Sequence, residues 1–199
     1  MGPMTPTRML AVLAIVFALP VLASPAHGSN DTRARSDEIV KQAEANIMEA
    51  GKTNPVDSQL VQRAIDQLHQ AAKIDPKNDS AYVDLGFCYA LMRDASTAEE
   101  MYITATTINP SPANFKELAD IYLRTGKAEP ALMAANAGLA KDAHNAKLLN
   151  AKGLALTDLQ RPDEAEAAFR EAITYDPNLT VARRNLDALS AAPGKKHSE

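Results

Sequence analysis

The chain has 199 residues, enough for one domain with appendages. Hydrophobic residues make up 46% and charged residues 23%, which excludes wholesale disorder. Lys plus Arg is 21 against 25 Asp plus Glu, a net charge of -4, which excludes the basic footprint of a nucleic-acid binder. The one cysteine, Cys88, excludes an intramolecular disulfide and a thiolate-rich zinc site. The histidines (His27, His69, His144, His197) lie at least 42 residues apart, so no local His pair is available as metal ligands.

In chain order, the first predicted element is an export signal. Arg8 is followed by an apolar run, Met9 to Leu19, then Pro20, and no charged side chain occurs from Met9 to Asn30. A basic start, a short apolar stretch and small residues after a proline describe a secretory signal over 1–26, with cleavage near Ala23 or Ala26. The runner-up is a membrane anchor, but a span needs about 20 apolar residues and this run meets Pro20 after eleven. The short signal and alanine-rich body point to a bacterial periplasm. A flexible linker is expected over 27–36.

The rest of the chain repeats. Asp75-Pro76, Asn109-Pro110, Asp142-Ala143 and Asp176-Pro177 recur at intervals of 34, 33 and 34, as do Ala64, Ala98, Ala131 and Ala165. Within one unit, Tyr82, Leu85, Gly86, Tyr89, Ala98, Tyr102, Ala105 and Pro110 are separated by steps of 3, 1, 3, 9, 4, 3 and 5. The same steps run through Leu149, Lys152, Gly153, Leu156, Ala165, Phe169, Ala172 and Pro177, and through Phe115, Leu118, Ala119, Tyr122, Ala131, Ala135, Gly138 and Ala143. Steps of 3 and 4 place residues on one helix face. The step of 9 crosses a break near Arg93-Asp94, Thr125-Gly126 and Gln160-Arg161-Pro162, so each unit is two helices joined by a tight turn. Small residues let the partner helix approach, large ones fill the gaps, and proline after the second helix ends it because it cannot donate the next backbone bond.

These residues resemble the tetratricopeptide repeat. The resemblance covers about 37–190, in units 37–78, 79–111, 112–145 and 146–179. A cap helix follows over 180–190, with Leu186 and Leu189 covering the last repeat and Arg183, Arg184 and Asp187 facing water. The first unit carries eight extra residues between Ile47 and Ala64, beginning near Thr53-Asn54-Pro55. Residues 191–199 are expected to form a disordered tail. The resemblance implies an all-α, right-handed superhelical stack with a concave wall lined by the first helix of each pair. It implies that extended peptides or partner helices bind there. The residues assigned to that wall are Val83, Phe87, Ala90 and Leu91, with Ser80 one turn earlier; then Ala113, Lys116, Asp120, Leu123 and Arg124; then Lys147, Asn150, Leu154, Thr157 and Asp158. The first unit adds Lys41, Ala45 and Met48. The apolar strip is Phe87-Leu91-Leu123-Leu154. Phe87 is either exposed on this strip or buried as core. The Lys/Asn/Lys/Arg clamp of relatives that hold chaperone C-termini is absent, since Ala45 and Asp84 stand where it needs Asn.

No catalytic residue, metal site or cofactor is assigned. GxSxG, Walker-type, HExxH and dinucleotide-turn motifs are absent. Glu99-Glu100 and Asp163-Glu164 are read as acids on helix starts that complement the helix dipole, and Cys88 as a buried structural thiol. The functional expectation is a non-enzymatic scaffold in the periplasm that binds a protein or peptide partner in the groove, in pilus assembly or secretion. The alternatives are a self-assembling structural protein and an accessory subunit of an envelope enzyme. Neither nucleic acid nor a small-molecule substrate is expected as partner.

Overall fold

The computed structural model describes residues 27–191. The expected signal segment and the tail beyond 191 lie outside the described residues. Among these there are nine helices and no strand: α1 (His27–Ala50), α2 (Ser58–Ile74), α3 (Asp79–Leu91), α4 (Ala95–Ile108), α5 (Pro112–Arg124), α6 (Ala128–Leu139), α7 (Ala146–Asp158), α8 (Pro162–Tyr175) and α9 (Thr180–Ala191). The fold is an all-α stack of helix pairs, α1–α2 through α7–α8, closed by α9.

Local chemistry sets the boundaries. The Asp57 carboxylate accepts from the backbone N–H groups of Gln59 and Leu60, Asp94 from Thr97, Ser111 from Asn114, and Asn145 from Leu148. Each thereby satisfies orphan donors at a helix start. Pro112 and Pro162 open α5 and α8, where the missing N–H costs nothing. The turns inside the later three pairs fall where the step of 9 required them. Arg93, Gly126 and Gln160 all take positive φ, at 63°, 71° and 57°. Only Gly126 adopts this left-handed backbone without a Cβ penalty.

The repeated small and large residues are one packing device. A Cβ added at Gly86 would lie 2.8 Å from the Tyr102 ring, and one at Gly153 would lie 2.5 Å from the Phe169 ring. Each glycine is therefore the flat floor under the aromatic of its own second helix. Phe169 is 1% exposed, and Ala98, Ala105, Ala165 and Ala172 are fully buried beside these rings. The α5–α6 pair differs, with Ala119 and Ala135 in the glycine and aromatic places. Its Gly138 instead makes room for Leu148 of the next pair, 2.6 Å from where a Cβ would sit.

The expected linker over 27–36 is corrected: these residues are the opening turns of α1. Their polar side chains have partners in the α2–α3 turn. The Ser36 hydroxyl donates to the Ala71 carbonyl and accepts from the Asn78 amide, which also donates to Asp37. Arg33 pairs with Asp37, Asp75 and Asp79. Asp79 in turn accepts from Asn109 and Asn114. Asn78 is fully buried. The extra length of the first unit goes into α1 and the turn at 51–57, where the Thr53 hydroxyl caps the Ala50 carbonyl. At the other end Leu189 is buried and Leu186 half-buried, while Arg183, Arg184 and Asp187 are exposed.

The stack has an inner and an outer side. Several successive first helices touch (α1 with α3, α5 with α7, and α7 with the cap helix α9, though not α3 with α5), whereas no comparable contact joins α2 to α4, α4 to α6 or α6 to α8. The first helices are therefore the more closely spaced row, and the wall they form is the concave one.

Candidate functional site

The concave wall is built from α1, α3, α5 and α7. On α3, Val83, Phe87 and Leu91 follow one another at helical spacing. Phe87 is 44% exposed, so of the two readings of this ring the exposed one holds. Val83, Leu91, Leu123 and Leu154 are half-buried and pack against the core clusters beneath them. The apolar strip is thus narrower than expected: one open aromatic, flanked by leucine edges. Met48, on α1, is 70% exposed and extends the apolar surface toward the first helix.

The polar groups divide. Arg124, Lys147 and Asp158 are exposed. Lys116 is held within its own helix, 2.9 Å from Asp120 and 3.1 Å from Glu117. Asn150 accepts from the Asn185 amide at 2.9 Å, which ties α7 to the cap helix. Of the expected wall residues, Lys116, Asp120 and Asn150 are therefore already engaged. Lys116 and Lys147 line a hollow of about 420 Å³ between the starts of α5 and α7, with Ser111, Ala113 and Asn145.

Beneath this wall Cys88 is fully buried, and burial followed by the Asp84 carboxyl pushes its thiol up to about 12. A thiol so disfavoured as thiolate is a packing group. Asp84 itself is pushed up to about 7, first by burial and then by the Glu44 carboxylate. Tyr102 is also raised, mainly by burial over Gly86. The paired acids need one correction. Asp163 and Glu164 do lie in the first turn of α8, but α4 has no acid in its first turn. Glu99 sits one turn further on and bridges to Lys127 of the next pair at 2.7 Å.

The third helix pair carries a feature that spacing did not announce. An apolar hollow of about 440 Å³ opens between α5 and α6, lined by Phe115, Leu118, Tyr122, Pro130, Met133, Ala134 and Ala137. Met133 is 71% exposed at its edge. It lies in the one internal pair that has alanine where its neighbours carry Tyr102 and Phe169.

Two tetratricopeptide-repeat family models match the sequence, over residues 56–119 and 146–179. The chain is a tetratricopeptide-repeat protein. The matched segments cover α2–α4, the first part of α5, and α7–α8, and pass over α6. Solved structures share this tetratricopeptide architecture. PilF of Pseudomonas aeruginosa superposes with a TM-score of 0.68 at 14% identity, over 81% of this chain and 69% of that one. MamA of Desulfovibrio magneticus RS-1, residues 41 to the end, gives 0.65 at 15% identity, over 80% and 84%. The first repeat domain of Spaghetti, bound to the HSP90 peptide SRMEEVD, gives 0.55 at 22% identity, over 58% and 93%. At these identities the likeness is one of fold. The tetratricopeptide fold is in general a protein–protein interaction scaffold.

Proposed function

We propose that this tetratricopeptide protein is a non-enzymatic periplasmic scaffold that holds a segment of another protein along its concave wall, in the service of pilus assembly or secretion. The observation that carries the binding reading is Phe87. A large aromatic nearly half open to water, on the same wall as the half-buried edges of Leu91, Leu123 and Leu154 and with charged groups around it, has the form of a protein-binding patch with a polar rim. Aromatic anchors of this kind supply most of the binding energy in interfaces, while charges at the rim govern encounter more than affinity. A neighbour of the same fold that holds a peptide is consistent with this use.

The test is affinity for the partner by titration calorimetry. Truncating a central anchor costs about 2 kcal/mol or more, so Phe87→Ala should weaken binding at least tenfold, with Leu123→Ala also weakening it. Lys147→Ala should mainly slow association at low salt. Because Phe87 is open, circular dichroism should show the Phe87 variant folded. Wild-type affinity in folded Phe87→Ala and Leu123→Ala proteins would show the wall is not the site.

The compartment is proposed from the charge-free apolar run after Arg8, broken at Pro20. Intact mass of the protein recovered from a periplasmic extract should correspond to a chain beginning after Ala23 or Ala26. A species retaining Met1 would contradict export with cleavage.

A further inference from the structure

Asp84 is the unusual group on the concave wall. Ser80, Asp84 and Phe87 are spaced 4 and 3 apart, so they share one face of α3. Ser80 lines a cleft of about 420 Å³ whose opposite wall is α1, through Lys41 and Glu44 among others. Asp84 has no hydrogen bond or ion pair within the described residues, and its Oδ2 is buried without a partner. The neighbouring charge that acts on it is Glu44, of the same sign. Arg33, at the far end of the same cleft, is committed to Asp37, Asp75 and Asp79. With Arg33 so committed, the cleft is left with Glu44 and Lys41, and Asp84 follows Ser80 one turn further along the same face of α3.

A partly buried carboxyl beside a like charge is an expensive arrangement, and it is relieved when a cation arrives. One turn away stands the open ring of Phe87, which offers an apolar surface and a π face. A guanidinium fits such a place better than an ammonium, because it forks onto carboxylates and tolerates an aromatic neighbour. We propose that the α1–α3 end of the groove receives a basic side chain of the partner segment, Arg in preference to Lys, between Glu44 and Asp84, with an adjacent apolar residue of that segment seated on Phe87. This rests on the concave-groove reading and adds the chemistry of the occupant at this end: a basic residue next to a large apolar one, in a segment of another protein.

A displayed library of random 12-residue peptides, panned against the immobilised full chain, tests this. Enriched sequences should place Arg or Lys within four residues of a large apolar side chain. The best of these, made synthetically, should lose about tenfold or more in affinity to Asp84→Asn, to Phe87→Ala and on changing its own Arg to Gln. Glu44 is exposed, so Glu44→Gln leaves the fold intact and should lower affinity on its own. Raised salt should weaken the wild-type complex more than the Asp84→Asn complex. Peptides that need Phe87 but are indifferent to Asp84 and Glu44 would overturn the cation site and leave the groove standing. Enrichment of sequences that lack a basic residue would also overturn it. Failure to enrich any sequence that depends on Phe87 would overturn both readings. Concentration-dependent association of the chain with itself, removed by Asp84→Asn, would give the cleft to a second copy and overturn the foreign occupant.

Discussion

Replacing Phe169 by alanine should lower the free energy of unfolding by about 3–5 kcal/mol, the usual cost of removing a buried aromatic. The ring is 1% exposed and lies flat on Gly153. Gly153→Ala should cost about 1–3 kcal/mol through overpacking, because its new Cβ would fall 2.5–2.8 Å from three atoms of that ring. The two losses should not add. With the ring gone, the alanine methyl enters the space it left, so the double variant should be less destabilised than the sum of the singles. Urea unfolding of the four proteins measures this cycle. Additive losses would mean that Gly153 and Phe169 do not meet, and that the pairing of first and second helices is wrong.

Asp84→Asn should stabilise the protein at pH 8 and leave it unchanged near pH 3. Unfolded, the carboxyl titrates at an ordinary value near 3.8; folded, at about 7, because burial and then Glu44 oppose its charge. Below about pH 4 the acid is protonated in both states, and no penalty arises. Between about 4 and 7 the unfolded chain releases the proton first, so the wild-type protein loses stability as pH rises. Above about 7 both states are ionised and the penalty is constant. The amide cannot ionise, so the variant should gain on the order of 1–3 kcal/mol relative to wild type across this window, since the side chain keeps some contact with water. Thermal melts of both proteins between pH 3 and 8 would show the divergence. Parallel curves would mean that the carboxyl is not buried beside Glu44. A variant that gains stability while losing affinity for basic peptides would also separate a functional role for Asp84 from a structural one.

The repeat was legible because its period is written in residues that only one packing scheme explains. Gly86 and Gly153 recur at fixed distances before Tyr102 and Phe169, and Arg93, Gly126 and Gln160 fall at the step of 9 with left-handed backbone. The opening turns of α1 were not legible. Arg33 and Ser36 read as a polar linker because their partners, Ala71, Asp75, Asn78 and Asp79, lie 35 or more residues away. No local pattern encodes such a pairing.

The wall was legible as a face but not in its detail. Periodicity places Phe87 and Leu91 on one side of α3, yet how far each sinks depends on neighbouring helices. Phe87 stays open, whereas Leu91 settles against the first core cluster. The engagement of Lys116 by Asp120 was readable in principle, as an i, i+4 pair of opposite charge. That of Asn150 by Asn185 was not, because it crosses to the cap helix. The hollow between α5 and α6 was not legible, because Phe115, Leu118 and Tyr122, which line it, hold ordinary positions of the repeat.

The central claim is that the partner lies on the concave wall. It is tested most directly by placing a photo-crosslinking benzoylphenylalanine at position 87 and, in a separate protein, at position 133. Both native side chains are open to solvent, at 44% and 71%, but the first stands on α3, a first helix of its pair, and the second on α6, a second helix. Irradiation of each protein with its partner should give a crosslinked product from position 87 and none from position 133. A product from position 133, with none from 87, would contradict the account and move the site to the apolar hollow between α5 and α6.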